Sequence, residues 1–136
     1  MPDIQWYLTT LIDGINKNLD VADLMRKHAG GENRSLLFDV RDRFGRTEAY
    51  GFLVDFGRGI IDMVEPWQVK NPTATLTMAD ILILRLLDGK DTLTSMALKG
   101  YPLDIRGPHF LRDLVFLDEL LAKARRSMAV KEAKAL

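Results

Sequence analysis

The sequence predicts a single α+β domain in which a mainly antiparallel sheet of about five strands is covered by helices. Short runs of alternating apolar and polar residues, separated by tight glycine turns, occupy the middle of the chain. Runs with a helical spacing of apolar residues precede and follow them. A chain of 136 residues without an internal repeat or a linker fits one domain with one core.

Residues 1–30 are predicted to form two helices. Apolar side chains recur every three or four residues from Ile4 to Leu19, which predicts the first helix. Asp20 is the predicted N-cap of the second helix, and Gly30-Gly31 end it. We interpret the apolar stripe of the first helix as a core or dimer face, because its polar side carries few cations for a membrane-surface helix.

Three strands are predicted between residues 36 and 65. Apolar residues alternate with other residues over 36–40 and 50–56, and a third strand covers 60–65. Turns are predicted at 44–46 and 57–59, each of which contains glycine. Short consecutive strands joined by tight turns are typical of an antiparallel meander.

The second half of the chain returns to a mixture of strands and helices. A fourth strand is predicted over 73–78 and a fifth over 101–106. Between them, Asp80 is the predicted N-cap of a helix that extends through Leu87 and ends at Gly89, and a short helix capped by Thr92 or Thr94 follows. The last helix covers about residues 109–128. The predicted sheet-and-helix body is therefore 34–128, and the Ala/Lys-rich tail over 129–136 is expected to fray.

Composition excludes several classes of function. The chain has no cysteine, which excludes disulfides, thiolate chemistry and Cys-ligated zinc. Nineteen Lys and Arg residues balance nineteen Asp and Glu, so there is no electrostatic drive toward nucleic acid. No signal-peptide pattern opens the chain, and no apolar run approaches the ~18 residues of a membrane span. We therefore expect a cytoplasmic protein with no stable membrane insertion and no cofactor.

Two predicted helices carry more apolar side chains than one core face requires. Six of the seven residues over 81–87 are large and aliphatic, and they surround the helix. In the last helix, Phe116 and Leu120 lie opposite the main apolar stripe. Either these helices are covered on all sides, or their second side faces a ligand cavity or a partner.

An apolar cavity between the sheet and the helices is the functional prediction from this surplus. Methionines are included because a flexible thioether adapts to ligands of different shape, although most methionines only fill cores. The predicted lining residues are Met78, Leu82, Leu86, Met96, Leu103, Ile105, Phe110, Leu114 and Leu117.

Arg85 is the charged residue of interest beside this cavity, since it lies among six aliphatic residues. It is a candidate anchor for an anionic head group of the ligand. Alternatively, its side chain extends to solvent and pairs with Asp88, three residues on.

No catalytic or metal-binding pattern is present. His28 and His109 are the only histidines, and neither has the spacing of a metal site. A Gly-x-Ser-x-Gly nucleophile elbow is also missing. The sequence therefore predicts a protein that is not an enzyme, with no catalytic residue and no metal ligand.

The order of four segments resembles the sterol carrier protein type 2 family. These are the strand Thr75-Leu76-Thr77-Met78, a helix ending at Gly89-Lys90, a short helix ending at Lys99-Gly100, and a strand of residues 103–107 closed by glycine. The likeness covers about residues 36–121. It implies that family's fold and an apolar tunnel that holds a lipid or a fatty-acid-like ligand, with a carrier or presenter role.

Two other functions stay open at this stage. The apolar surplus on Phe116, Leu120 and the first helix could instead form a homodimer that docks on enzymes of lipid or quinone synthesis. A third possible function is a small enzyme that acts on lipids, but no residue in the sequence supports it.

Overall fold

The computed structural model describes residues 4–28, 30 and 32–135, and side chains as far as residue 126. Helices and strands follow one another in the predicted order. The helices are α1 (Ile4–Asn18), α2 (Val21–His28), α3 (Asp80–Leu87), α4 (Leu93–Leu98) and α5 (Phe110–Ala135). The strands are β1 (Arg34–Arg41), β2 (Thr47–Asp55), β3 (Ile60–Val64), β4 (Ala74–Ala79) and β5 (Leu103–Arg106).

The strands form one five-stranded sheet in the order β3-β2-β1-β4-β5. Three neighbouring pairs are antiparallel, and β1 runs parallel to β4. The parallel pair arises because the chain leaves β3 at one edge and returns past two strands to enter β4. The structure confirms a single α+β domain with a mainly antiparallel sheet. Because one of the four strand pairs is parallel, the sheet as a whole is mixed.

The return segment between β3 and β4 packs against one face of the sheet. It contains a short 3₁₀ turn at Pro66–Gln68, followed by buried Val69. A Cβ added to Gly51 of β2 would lie 2.8 Å from Val69 Cγ2 and 3.1 Å from the Val64 carbonyl oxygen. Glycine is therefore needed at this position, because any side chain would displace the crossing backbone.

The other face of the sheet carries the core. Leu36 and Val40 of β1 and Leu76 of β4 lie on this face and are buried under the helices, whereas the residues next to them along each strand face the other way. The helices α1, α2 and α4 all contact α5, so α5 is covered on several sides. No helix in the described ranges is long and apolar enough to cross a membrane.

Several predicted helix ends agree with the hydrogen bonds of the structure. The Asp23 amide donates to Asp20 Oδ1 at 3.0 Å, and the Ser95 amide donates to Thr92 Oγ1 at 3.0 Å. Helix α5 continues beyond the predicted end at residue 128 to Ala135. The residues Met1–Asp3, Gly31 and Leu136, to which predicted segments extend, lie outside the described residues.

Candidate functional site

An apolar cavity of about 50 Å³ lies between the inner face of the sheet and the helices α1, α3 and α5. The described residues that line it are all aliphatic or phenylalanine. They are Leu8, Leu11, Ile12, Ile15, Leu36, Phe38, Phe52, Val54, Ile61, Ile83, Leu86, Leu87, Leu117, Leu120 and Leu121.

Two sequence periods bring these side chains to one place. In α1, Leu8, Leu11, Ile12 and Ile15 are separated by three or four residues, so they share one side of the helix. In the strands every second residue faces the cavity, and Phe38 of β1 packs against a phenylalanine of β2 with ring centroids 4.9 Å apart. The cavity is therefore built from one face of the sheet and from apolar sides of α1, α3 and α5 rather than from a loop.

Four lining residues keep part of their surface exposed. Leu11 and Ile12 lie on α1, Leu87 is the last residue of α3, and Phe38 lies on the sheet. The remaining lining residues are buried. These exposures place the opening of the cavity between α1 and the C-terminal end of α3.

Helix α1 is fastened to the edge of the sheet by one side chain. Asn16 Nδ2 donates to the Ile61 carbonyl oxygen at 2.8 Å, and the Ile61 amide donates to Asn16 Oδ1 at 2.9 Å. The Asn16 amide thus replaces a neighbouring strand along part of β3, which is an edge strand. This pair of bonds holds α1 across one side of the cavity.

The C-terminal end of α3 is capped by a residue of α5. Arg125 Nη1 donates to the Leu86 carbonyl oxygen at 3.0 Å. A Cβ on Gly89 would lie 2.7 Å from Arg125 Nε, and Gly89 has φ +78°. Glycine is therefore needed both for the turn and for the passage of the arginine side chain.

Arg85, the candidate anchor, points away from the cavity and forms an ion pair. Its Nη2 lies 2.8 Å from Asp91 Oδ2, and Lys99 Nζ lies 2.9 Å from Asp91 Oδ1. Hydrogen bonds from Lys99 and Arg85 hold the pKa of the Asp91 carboxyl below its ordinary value. The partner is Asp91 and not Asp88, because the turn at Gly89 brings the following segment back toward α3.

The structure places two of the nine predicted lining residues at the cavity, namely Leu86 and Leu117. Three others from β5 and the start of α5 are partly buried or exposed, and the rest are buried elsewhere in the core. Leu103 and Ile105 are partly buried and Phe110 is 41% exposed, whereas Met78, Leu82, Met96 and Leu114 are buried. The cavity lies toward β1, β2 and β3, so α1 contributes residues that sequence reasoning did not assign to it.

Phe116 and Leu120 do not lie on the surface of α5. Phe116 is 0% exposed, and Leu120 is buried and lines the cavity. Of the alternatives left open for these two residues, Leu120 therefore faces the cavity and Phe116 is covered within the core, and neither forms an outward apolar face. Helix α5 packs against three other helices, so its second apolar side is also covered.

One buried charge pair lies outside the cavity. Arg34 Nε lies 3.0 Å from Asp113 Oδ1, and the side chains are 3% and 0% exposed. Burial raises the pKa of the Asp113 carboxyl, against the opposing charges of Arg34 and His109. This pair joins the start of β1 to the first turn of α5.

The described part of the chain contains no cluster of three His, Asp or Glu side chains that could hold a metal ion. The cavity therefore offers shape and apolar surface but no charged group inside it. Its chemistry is the removal of hydrocarbon from water.

No protein-family model and no curated protein sequence matches the chain. Solved structures do match it. Sterol carrier protein 2 from Yarrowia lipolytica, in its apo form, superposes with a TM-score of 0.57 at 18% identity, over 84% of this chain and 85% of that one. The sterol carrier protein domain 2 of Helicoverpa armigera superposes with a TM-score of 0.57 at 19% identity, over 87% and 84% of the two chains.

These likenesses span nearly the whole length of both partners. They confirm the resemblance drawn from the ordered segments between residues 75 and 107, at the level of the fold. The chain has the fold of the sterol carrier protein type 2 family.

Proposed function

We propose that this protein binds a lipid in the apolar cavity and carries or presents it, without catalysing a reaction. The observation that carries the proposal is the composition of the cavity wall. All 15 described residues that line the cavity are aliphatic or phenylalanine. Sites for small ligands usually combine apolar walls with a few polar groups that fix orientation. A wall without polar side chains favours a ligand whose buried part is hydrocarbon.

The head group of such a lipid belongs at the opening. A polar group buried without a hydrogen-bond partner costs several kcal/mol, roughly 2–7 by transfer scales. Each buried methylene gains about 0.8 kcal/mol. A lipid therefore places its chain among Leu36, Phe52 and Leu120 and leaves its head group near Leu87, where the cavity meets solvent.

Binding requires the cavity to widen. Its volume is about 50 Å³, whereas sites for small ligands have about 300–1,000 Å³. Helix α1 is the element that we expect to move, because it lies between the cavity opening and the edge of the sheet. Movement of α1 along α5 would extend the cavity toward Leu82, Met78 and Leu114. These three residues are among the lining residues that the sequence predicts.

A carrier rather than an enzyme is proposed because the acidic groups around the cavity are held in ion pairs. Arg85 and Lys99 are paired with Asp91, and Asp113 is paired with Arg34. None of these residues lines the cavity. A general acid, base or nucleophile has to reach the reacting atom within about 3 Å, and paired groups outside the lining are poorly placed for that role.

The test combines detection of bound lipid with a matched pair of variants. Native mass spectrometry of freshly purified protein should show a bound species that organic extraction identifies as a lipid. Displacement of a fluorescent fatty acid should be saturable at one site. Leu11→Trp, which fills the opening, should weaken this binding at least tenfold, whereas Ile4→Trp on the same helix should not, since Ile4 does not line the cavity.

Absence of any saturable lipid binding would contradict the proposal. The rival function is a homodimeric accessory protein that docks on enzymes of lipid or quinone synthesis. Light scattering that gives twice the mass of one chain, together with no bound lipid, would favour that rival. Trp6 of α1, which is 61% exposed, then becomes the residue to substitute, because Phe116 lies in the core.

A further inference from the structure

We infer that Arg125 is the head-group site of the cavity, and that the ligand is a lipid with an anionic oxygen head group. This inference rests on the proposed function and adds the charge class of the ligand. A carboxylate and a phosphate monoester share the chemistry that a guanidinium recognises, since both present two oxygens to two parallel N–H groups.

The first step is the position of Arg125 on the rim. Its Nη1 is 3.0 Å from the carbonyl oxygen of Leu86. Leu86 and the next residue, Leu87, both line the cavity, and so does Leu121, one turn before Arg125 on α5. The guanidinium therefore lies where α3 ends and where the partly exposed Leu87 marks the opening.

The second step is that the side chain is held in place before a ligand arrives. The carbonyl of Leu86 fixes one end of the guanidinium. A Cβ on Gly89 would lie 2.7 Å from Arg125 Nε and 2.8 Å from Cδ, so the side chain runs directly over this glycine. A side chain that is already ordered loses less conformational entropy on binding.

The third step is that no carboxylate among the described side chains neutralises the charge of Arg125. As far as residue 126, no Asp or Glu oxygen lies within 4.0 Å of its guanidinium nitrogens. Arg85, Arg34 and Arg58 differ, because each has an Asp partner at 3.0 Å or less. A guanidinium has five N–H donors, and the Leu86 carbonyl accepts from one nitrogen only.

The geometry also explains why an anion fits beside an apolar cavity. The acyl chain avoids water inside, and the head group stays at the half-exposed rim, where it keeps part of its hydration. A charge-assisted hydrogen bond there is expected to raise affinity about tenfold over a neutral hydroxyl head group.

The experiment uses three ligands of equal chain length: hexadecanoic acid, hexadecyl phosphate and hexadecanol. Each is titrated below its solubility limit against the full chain with a bound fluorescent fatty acid, and against the variants Arg125→Gln, Arg125→Lys and Arg85→Gln. We expect the unchanged protein to prefer at least one anion over hexadecanol by about tenfold. Arg125→Gln should abolish that preference by weakening the binding of the anions far more than that of hexadecanol, and Arg125→Lys should restore part of it.

Arg85→Gln is the matched control, because it removes an arginine of α3 that Asp91 already neutralises. It should keep the preference for anions. A stronger preference for the acid identifies a carboxylate ligand, and a stronger preference for the phosphate identifies a phosphate monoester. Equal affinity for all three ligands in the unchanged protein overturns the inference even if a variant fails to fold.

The two proposals fail differently. If none of the three ligands binds, the proposed function fails. If hexadecanol and both anions bind equally, lipid binding stands and the role of Arg125 fails. Equal losses for all three ligands in Arg125→Gln also overturn the role, since they would mean that the arginine only caps α3.

Discussion

At the scale of single residues, the buried pair of Arg34 and Asp113 sets the position of α5. The two side chains are 3% and 0% exposed, with Nε and Oδ1 3.0 Å apart. Removing two charges from water is costly, and the cost is offset only while both partners are present. The raised pKa of Asp113 has the same cause, because burial disfavours its charged form.

Arg34→Met should lower the free energy of unfolding by about 3–5 kcal/mol, because Asp113 is left buried without its partner. Denaturant unfolding measures this loss. With the pKa of Asp113 raised still further, the loss should be largest at pH 7. The loss should shrink toward about pH 4. A carboxyl with a raised folded-state pKa destabilises the fold only at pH values where it is ionised in the unfolded chain.

The double variant Arg34→Met with Asp113→Leu is the control for this pair. It replaces both charges by apolar groups of similar size and should recover most of the lost stability. If the double variant is as unstable as Arg34→Met alone, the lost stability comes from packing of the arginine and not from an uncompensated charge.

Residue contacts of this kind could not be predicted from the sequence. Arg34 and Asp113 are far apart along the chain, and no pattern joins them. Arg85 illustrates the same limit at short range. Its nearest carboxylate on a helix is Asp88, yet the glycine turn after α3 brings Asp91 to it instead.

At the scale of elements, we propose α1 as the movable cover of the cavity, and Asn16 attaches it to the sheet. Its side-chain amide makes two hydrogen bonds with the backbone of Ile61 on the edge strand β3. The rest of the attachment includes a hydrogen bond from Thr9 Oγ1 to Met63 Sδ at 3.6 Å and apolar contact along Leu8 and Ile15. An apolar contact can slide, whereas the two hydrogen bonds fix the position of α1 along the strand.

Asn16→Ala should destabilise the protein by about 1–2 kcal/mol, since the Ile61 amide and carbonyl lose their partners. It should also speed lipid uptake, because α1 is freed from β3. Stopped-flow uptake of a fluorescent fatty acid and hydrogen exchange at the Ile61 amide measure the two effects. Asn18→Ala is the control, since Asn18 donates only to Gly14 of its own helix. Unchanged uptake by Asn16→Ala would show that α1 is not the cover.

The order of elements was predictable from the sequence because local rules set it. Alternation over 36–40 and 50–56 and the glycine turns specify strands and their connections without reference to distant residues. The parallel pairing of β1 with β4 was not predictable in this way. It depends on the route of residues 65–73 across the sheet, which Gly51 permits by having no side chain.

At the scale of the whole molecule, the position of the cavity explains which site residues were predicted. The apolar surplus of α3 and α5 pointed to two of the helices that enclose it, and Leu86 and Leu117 lie on these helices. The third wall is α1, whose stripe the sequence showed as apolar but did not assign to a ligand. A stripe is the same pattern whether it meets a core, a partner or a cavity, so only the assembled fold distinguishes these.

A ligand that binds only the folded protein should raise its stability as a whole. At a free lipid concentration of about one hundred times Kd, the gain is about 2.7 kcal/mol. For a chain of this size this corresponds to a rise in Tm of roughly 10 °C. Thermal unfolding with and without hexadecanoic acid measures the rise. Leu11→Trp should lack it, and Ile4→Trp should keep it, because only Leu11 lines the cavity.

The same melting experiment separates a lipid carrier from a homodimer. In a carrier that is a monomer, Tm depends on lipid concentration and not on protein concentration. In an obligate dimer, Tm rises with protein concentration even without lipid, because association stabilises the folded state by mass action. Since Phe116 and Leu120 are in the core, we expect the lipid dependence alone. A Tm that follows protein concentration and ignores lipid would reject the carrier function together with the assignment of the cavity.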